Sequence, residues 1–292
     1  MAGYGGRQGE AAGMTSDTEP EPRLGGWLLV TTLVLAALVS TTSLLGLASH
    51  WPYAAETANW RLQAQGQDLG NLLAVGALLG GGFGWWRGSL RGLVVWAGSL
   101  LYLIYAFAIY AVALHFGPLF LPYLAVLGLA SFSLGFGVRR RTHEVWVAGR
   151  ARTGGSWVLI VIGAVFGLLW LSSIVPALAT GQVPAELTAA GLVANPVHVL
   201  DLALVLPAMI LTGLQARRGR SDGLLWLVPW LTFSTLMGAS VAAAMLLVLA
   251  QDATGGLAPL VFVGAVVAAS GWALVACVRR LERRPRRQPA GA

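Results

Sequence analysis

The chain predicts an all-α polytopic membrane protein: eight transmembrane helices arranged as two parallel four-helix repeats. Three observations carry that prediction. Of 292 residues, 57% are apolar and only 11% charged, the apolar residues fall in long unbroken runs, and four short motifs recur in the same order in the second half. A hydrocarbon core about 30 Å thick needs roughly 20 apolar residues per helix, and eight runs meet that need. A membrane β-barrel would instead show segments of about 10 residues with alternating polarity, and no such alternation is visible.

Residues 1–24 are Gly-rich, polar and acidic (SDTEPEP), a composition that buries too little surface to fold and reads as a disordered cytoplasmic tail. Trp27 to Leu47 is the first span. Its full length and the seven spans after it argue against a cleaved signal peptide. Leu69 to Trp85 is the second and short, with Gly76, Gly80 and Gly84 as a small-residue stripe suited to close helix contact. Leu93 to Leu114 is the third. Its Tyr102 and Tyr105 share a face near mid-membrane, where each hydroxyl needs a partner.

Leu119 to Val138 and Trp157 to Ala179 are the fourth and fifth spans. Val197 to Leu214, the sixth, opens on Asn195-Pro196, with Asn as the helix cap and Pro at the first helical position. Pro207 predicts a kink there, a common way to expose backbone carbonyls. Leu224 to Ala250 and Leu257 to Val278 complete the set. Cys277, the sole cysteine, rules out an intrachain disulfide and takes no assigned role. Residues 280–292 (RRLERRPRR and beyond) read as a basic cytoplasmic tail.

The repeat sets the domain boundaries. GGWLLV at 25–30 recurs as GGSWVLIV at 154–161, QDLGNLL at 67–73 as LDLALVL at 200–206, RGSLRGLVVW at 87–96 as RGRSDGLLW at 218–226, and FGPLFL at 116–121 as LAPLVF at 257–262. The halves are therefore residues 25–152 and 153–279. Each holds an even number of helices, so they share one orientation about an axis along the membrane normal. Asp68 and Asp201 become counterparts.

There is no lysine, and all 19 basic residues are arginines. Eighteen fall on one side of the eight-span scheme and Arg61 alone on the other. The positive-inside rule then puts both termini of this multi-pass cell-membrane protein in the cytoplasm. Anionic lipid headgroups, not nucleic acid, are the expected partners of the arginine-rich face. Without lysine no retinal-type or pyridoxal-type Schiff base forms. No span carries a histidine at mid-depth for haem, and no His-x-His or HExxH spacing marks a metal site. No cofactor is expected.

Asp68 and Asp201 are the most informative polar residues. A lipid-facing carboxylate in the apolar zone costs about 2.5 kcal/mol or more, so intramembrane acids face an interior or a pathway. His198 and Asp201 share a helix face, as do Asp68 and Asn71. Glu56, Arg61, Gln63, Gln65, Gln67, His115, Glu186 and Gln251-Asp252 gather on the same outer side. The candidate ligand or ion vestibule is accordingly Asp68, Asn71, His198, Asp201, Tyr102, Tyr105 and His115. The bland alternative is a hydrated loop surface with two helix-end charges.

Three functions compete. The first is transport or binding of an unknown small molecule or ion through an outward-facing vestibule, which needs enclosed volume between the halves. The second is an outer-leaflet enzyme using Asp68, Asp201 and His198 as acid/base groups around one reacting atom. The third is a structural membrane-complex partner with a filled interior. With no GxSxG, Walker or CxxC motif, the balance leans away from an enzyme.

At GQDL, RGSLRG, YLIYAFAIYA, HFGPLFLPY and NPVHVLDLALVLPA the chain resembles a family of bacterial multi-span integral membrane proteins that has no established activity. The resemblance extends over most of residues 25–280. Family members often carry Asn-Pro where this chain has Gly117-Pro118. It implies a multi-pass fold and no chemistry.

Overall fold

A computed structural model describes residues 24–139, 144–251 and 257–284. The polar N-terminal segment up to residue 23 and the basic residues 285–292 lie outside these. Eight helices are long and apolar enough to cross a membrane, and the chain is a multi-pass α-helical membrane protein. Spans 1 to 8 are Gly26–Ala48, Ala58–Trp86, Leu90–Ala113, Phe120–Arg139, Gly149–Thr180, Pro196–Arg217, Ser221–Gln251 and Leu257–Arg279.

Span 2 begins 11 residues before the apolar run that announced it. Thr57 caps it, its side chain accepting from Trp60 N at 3.3 Å. The segment ANWRLQAQGQD is too polar to register as hydrocarbon, yet it is helical, with Trp60, Ala64 and Asp68 buried and Asn59, Gln63 and Gln67 bordering a cavity. At 1.5 Å per residue, Asp68 lies about 15 Å along this helix, not at its mouth. Span 5 likewise starts early, at Gly149, so the expected domain boundary at 152/153 falls within its first turns.

Spans 1 to 4 form a ring, each packed on the next and span 4 returning to span 1; spans 5 to 8 do the same. The rings meet where span 7 packs on spans 2 and 3, while span 3 also touches the first turn of span 6. Span 3 is the most enclosed helix and span 5 the least. Trp85, Trp96, Tyr102 and Phe107 are fully buried around span 3.

The glycine stripe expected on span 2 is not the one that makes close contact. Gly76 and Gly80 face open space, whereas a Cβ on Gly66 would sit 2.2 Å from Ala244 Cα and one on Gly70 would sit 2.4 Å from Ser240 Cβ. Gly84 does lie close to span 3: a Cβ on it would sit 3.2 Å from Gly92 Cα. The span 2 to span 7 crossing therefore depends on Gly66 and Gly70, one turn apart on the polar side of the helix.

Two short strands were not anticipated. β1 (Glu144–Val147) pairs antiparallel with β2 (Leu281–Arg284), with Val147 opposite Leu281 and Glu144 opposite Arg284. Val145, Val147 and Leu281 are buried, and an Arg283 guanidinium nitrogen donates to Gly88 O. The first residues of the segment read as a basic tail thus close the arginine-rich end of the bundle.

Candidate ligand chamber

Span 6 opens as its sequence suggests: the Asn195 side chain accepts from Val197 N at 3.0 Å and His198 N at 3.4 Å, with Pro196 at the first helical position. It then departs from a regular α-helix. Residues Asp201–Val205 form a π-turn, with Leu206 N bonding to Asp201 O five residues back. Pro207 follows and has no N–H to give. The missing donor and the widened turn together set the direction of the Asp201 side chain, and such π-bulges recur at functional sites.

Asp201 is 8% exposed. Its Oδ1 accepts from the Tyr105 hydroxyl of span 3 at 2.9 Å and its Oδ2 from Trp170 Nε1 of span 5 at 2.8 Å. No cationic side chain pairs with it among the described residues. His198 shares its helix face but makes a ring contact with Trp170, centroids 4.7 Å apart, and no hydrogen bond to Asp201 is formed.

Asp68 has a different setting, with no exposed surface. Its Oδ2 accepts from Tyr53 at 2.7 Å and its Oδ1 from Tyr110 at 3.0 Å, while the same Tyr110 hydroxyl lies 2.9 Å from Ala64 O. One phenolic proton faces two acceptors there, a three-centre arrangement. Tyr53 comes from the turn Trp51–Tyr53 between spans 1 and 2. Burial above all, and then the charge of Asp68, push its phenol well above the ordinary range, which keeps it a donor. A Cβ on Gly46 would meet Asp68 Oδ2 at 2.1 Å, so only glycine lets this contact close.

Asn71 donates to Ser43 Oγ at 3.1 Å, and Gln67 donates to the Tyr102 hydroxyl at 2.6 Å. His115 is exposed and holds Glu56, its Nδ1 3.1 Å from Oε2 and its backbone N 2.7 Å from Oε1. The seven residues proposed as one vestibule therefore separate. Asp201 and Tyr105 meet at one place, with His198 against the Trp170 ring that also bonds Asp201; Asp68, Asn71 and Tyr102 belong to the enclosed network beside it, and His115 lies on the surface.

What Asp201 and Tyr105 border is a chamber of about 540 Å³. Its wall is largely apolar and draws on spans 2, 3, 5, 6, 7 and 8, with Phe166, Val205, Leu206, Phe233 and Val263 among its residues. Met209, Met237 and Met245 also line it; the chain's other two methionines are Met1 and Met14. A second cavity of about 370 Å³ lies at the arginine-poor end, lined by Ser172, Ser173, Glu186 and His198 among others. The two share Asn59, Trp60, Gln63, Trp170 and Asn195. A polar antechamber thus adjoins an apolar chamber across a shared neck of two indoles and three amides, with Asp201 bonded to one of the indoles.

Sequence reasoning did not find Tyr53, Trp170 or the methionines. Tyr53 lies in a turn whose fold-back has no local signature, and Trp170 is one of twelve tryptophans. Pro207 did signal a local departure from α-geometry. Asp68 lines neither cavity, so an acid/base set of Asp68, Asp201 and His198 around one reacting atom is not assembled. Among the described residues no three His, Cys, Asp or Glu side chains gather as a metal site.

Searches with family models, among curated proteins and among solved structures find no match to this chain.

Proposed function

We propose that this protein binds, and carries across or out of the bilayer, a small molecule with a substantial apolar part, admitted through the antechamber at the arginine-poor end. The carrying observation is the 540 Å³ chamber joined to a polar antechamber. That volume lies within the range of small-molecule pockets, which are apolar cavities with a few placed polar groups. A structural partner has no need of it.

The arginine distribution supports an outward-facing antechamber and cytoplasmic termini. The two identically connected rings support descent from a parallel four-helix repeat, with Asp68 and Asp201 as counterparts. On this reading the first ring lost its cavity when Tyr53, Tyr110 and Tyr123 filled it, and the second kept it.

The test is saturable binding of a neutral lipophilic fluorophore, N-phenyl-1-naphthylamine, to the purified full chain in detergent. Wild type should bind it stoichiometrically, and Met209→Trp, which puts an indole into the chamber wall, should weaken that binding without unfolding the protein. Equal binding to both would remove the chamber from consideration.

A further inference from the structure

We propose that the ligand of this chamber is a lipophilic cation, its positive centre held at the neck by Asp201 and the adjoining aromatic faces, its apolar body in the methionine-lined space. This rests on the chamber being a binding site, and it adds the charge and breadth of the ligand.

The first argument is charge. Asp201 is the single acidic residue lining the chamber, and neither arginine nor histidine lines it. Its two partners, Tyr105 and Trp170, are neutral donors. They hold the carboxylate in place and satisfy part of its hydrogen-bonding capacity without cancelling its charge. A buried carboxylate without a counter-ion is costly, so it takes up a proton or is paired by a cation; both groups bonded to Asp201 are donors, which favour its ionised form. The missing partner is positive. In the antechamber Glu186 and His198 are the titratable residues and no arginine lines it, so with the imidazole neutral a cation meets favourable charge from entry to neck.

The second argument is the aromatic surround. Trp60 and Trp170 both line the neck, and the Tyr105 and Phe233 rings lie 5.5 Å apart just below it. The Trp170 N–H is directed at Asp201 and its ring already contacts His198 and Phe166, so the aromatic surfaces offered to a cation beside Asp201 are those of Trp60, Tyr105 and Phe233. A desolvated ammonium or phosphonium gains more from aromatic faces than an exposed one does.

The third argument is the wall. All three methionines among the described residues line this one chamber. Methionine is unbranched and polarizable, and surfaces rich in it repack around differently shaped ligands. Shape selectivity is therefore low, and charge at the neck supplies the discrimination.

The probes are tetraphenylphosphonium and tetraphenylborate, which match in size and shape and differ in sign. Binding is measured on the full chain in detergent by titration, with protein-free micelles as the background for partitioning. Wild type should prefer the phosphonium by about tenfold or more over that background, a difference near one step on the affinity scale. Asp201→Asn should remove the preference while still binding N-phenyl-1-naphthylamine. Glu186→Gln should weaken phosphonium binding by a smaller factor.

Equal binding of both ions, with the neutral probe still bound, would overturn the cation assignment and leave the chamber reading standing. So would an unchanged preference in Asp201→Asn, as expected of a carboxyl that holds its own proton. Loss of neutral-probe binding in wild type would instead sink the chamber itself. Tyr105→Phe provides the control for folding: it keeps the carboxylate, so it should retain the sign of the preference.

Discussion

Asp68 and Asp201 each accept two hydrogen bonds from aromatic side chains, yet one is sealed and the other borders open space. The difference comes from single residues. Gly46 lets Tyr53 and Asp68 close on each other, and with Tyr53 and Tyr110 both bonded to it Asp68 borders neither cavity. A member of such a buried set, once removed, strands its partner at about 1 to 3 kcal/mol. Tyr53→Phe and Asp68→Asn should each lower thermal stability in detergent by an amount in that range. Their double mutant should cost clearly less than the two singles together, as contacting groups do; additive losses would mean the contact is not energetically formed. The same cycle on Asp201 should couple strongly to Tyr105→Phe and Trp170→Phe. Coupling to His198→Ala should be weaker, because the imidazole acts through the Trp170 ring.

At the scale of elements, the π-turn at residues 201–205 widens span 6 by one residue just before Pro207. A proline in a helix interior removes an i→i−4 bond, and the wider turn accommodates that loss while setting the angle of Asp201. Pro207→Ala restores the missing donor and permits a regular helix. The expected result is unchanged or slightly higher thermal stability together with weaker phosphonium binding, because Asp201 is turned off the neck. A fall in stability with binding intact would mean that the π-turn is a packing feature alone.

Span existence was legible in the sequence, since every apolar run became a helix. The start of span 2 was not, because a hydropathy reading takes the Gln63 and Gln67 segment for a loop, and those amides are what line the cavities. The aspartates were legible as interior residues from the cost of placing a charge in lipid. Their partners were not, because Tyr53 and Trp170 are separated from them by 15 and 31 positions and no local pattern fixes such contacts. The strand pair was hidden for a similar reason, β1 being four residues long and paired to a segment 137 positions later. Deleting residues 281–292 should uncover Val145 and Val147 and speed limited proteolysis near residue 144. An unchanged cleavage rate would mean that the pair contributes little to closing that end.

For the whole molecule, the proposal stands on which end of the bundle meets the outside. Eighteen arginines on one side and one on the other predict that the antechamber end is translocated, because arginine-rich loops stay cytoplasmic. The single cysteine makes this measurable. Cys277 is buried, its Sγ donating to Ala151 O at 3.3 Å, and Cys277→Ala gives a background free of thiols. Two positions then read the two ends: Ser172→Cys on the antechamber wall, and Arg218→Cys in the connection between spans 6 and 7, both exposed. In intact cells a membrane-impermeant maleimide should label Ser172→Cys, and Arg218→Cys should react only after the membrane is opened. Labelling in the opposite sense would invert the molecule and turn the antechamber toward the cytoplasm. The chamber chemistry would then survive, but the direction of entry would reverse, and a lipophilic cation would be taken from inside the cell. Adding tetraphenylphosphonium should also slow labelling at Ser172→Cys, since a ligand held at Asp201, beside Trp170, borders that wall; protection from one side alone fixes the side on which the neck opens.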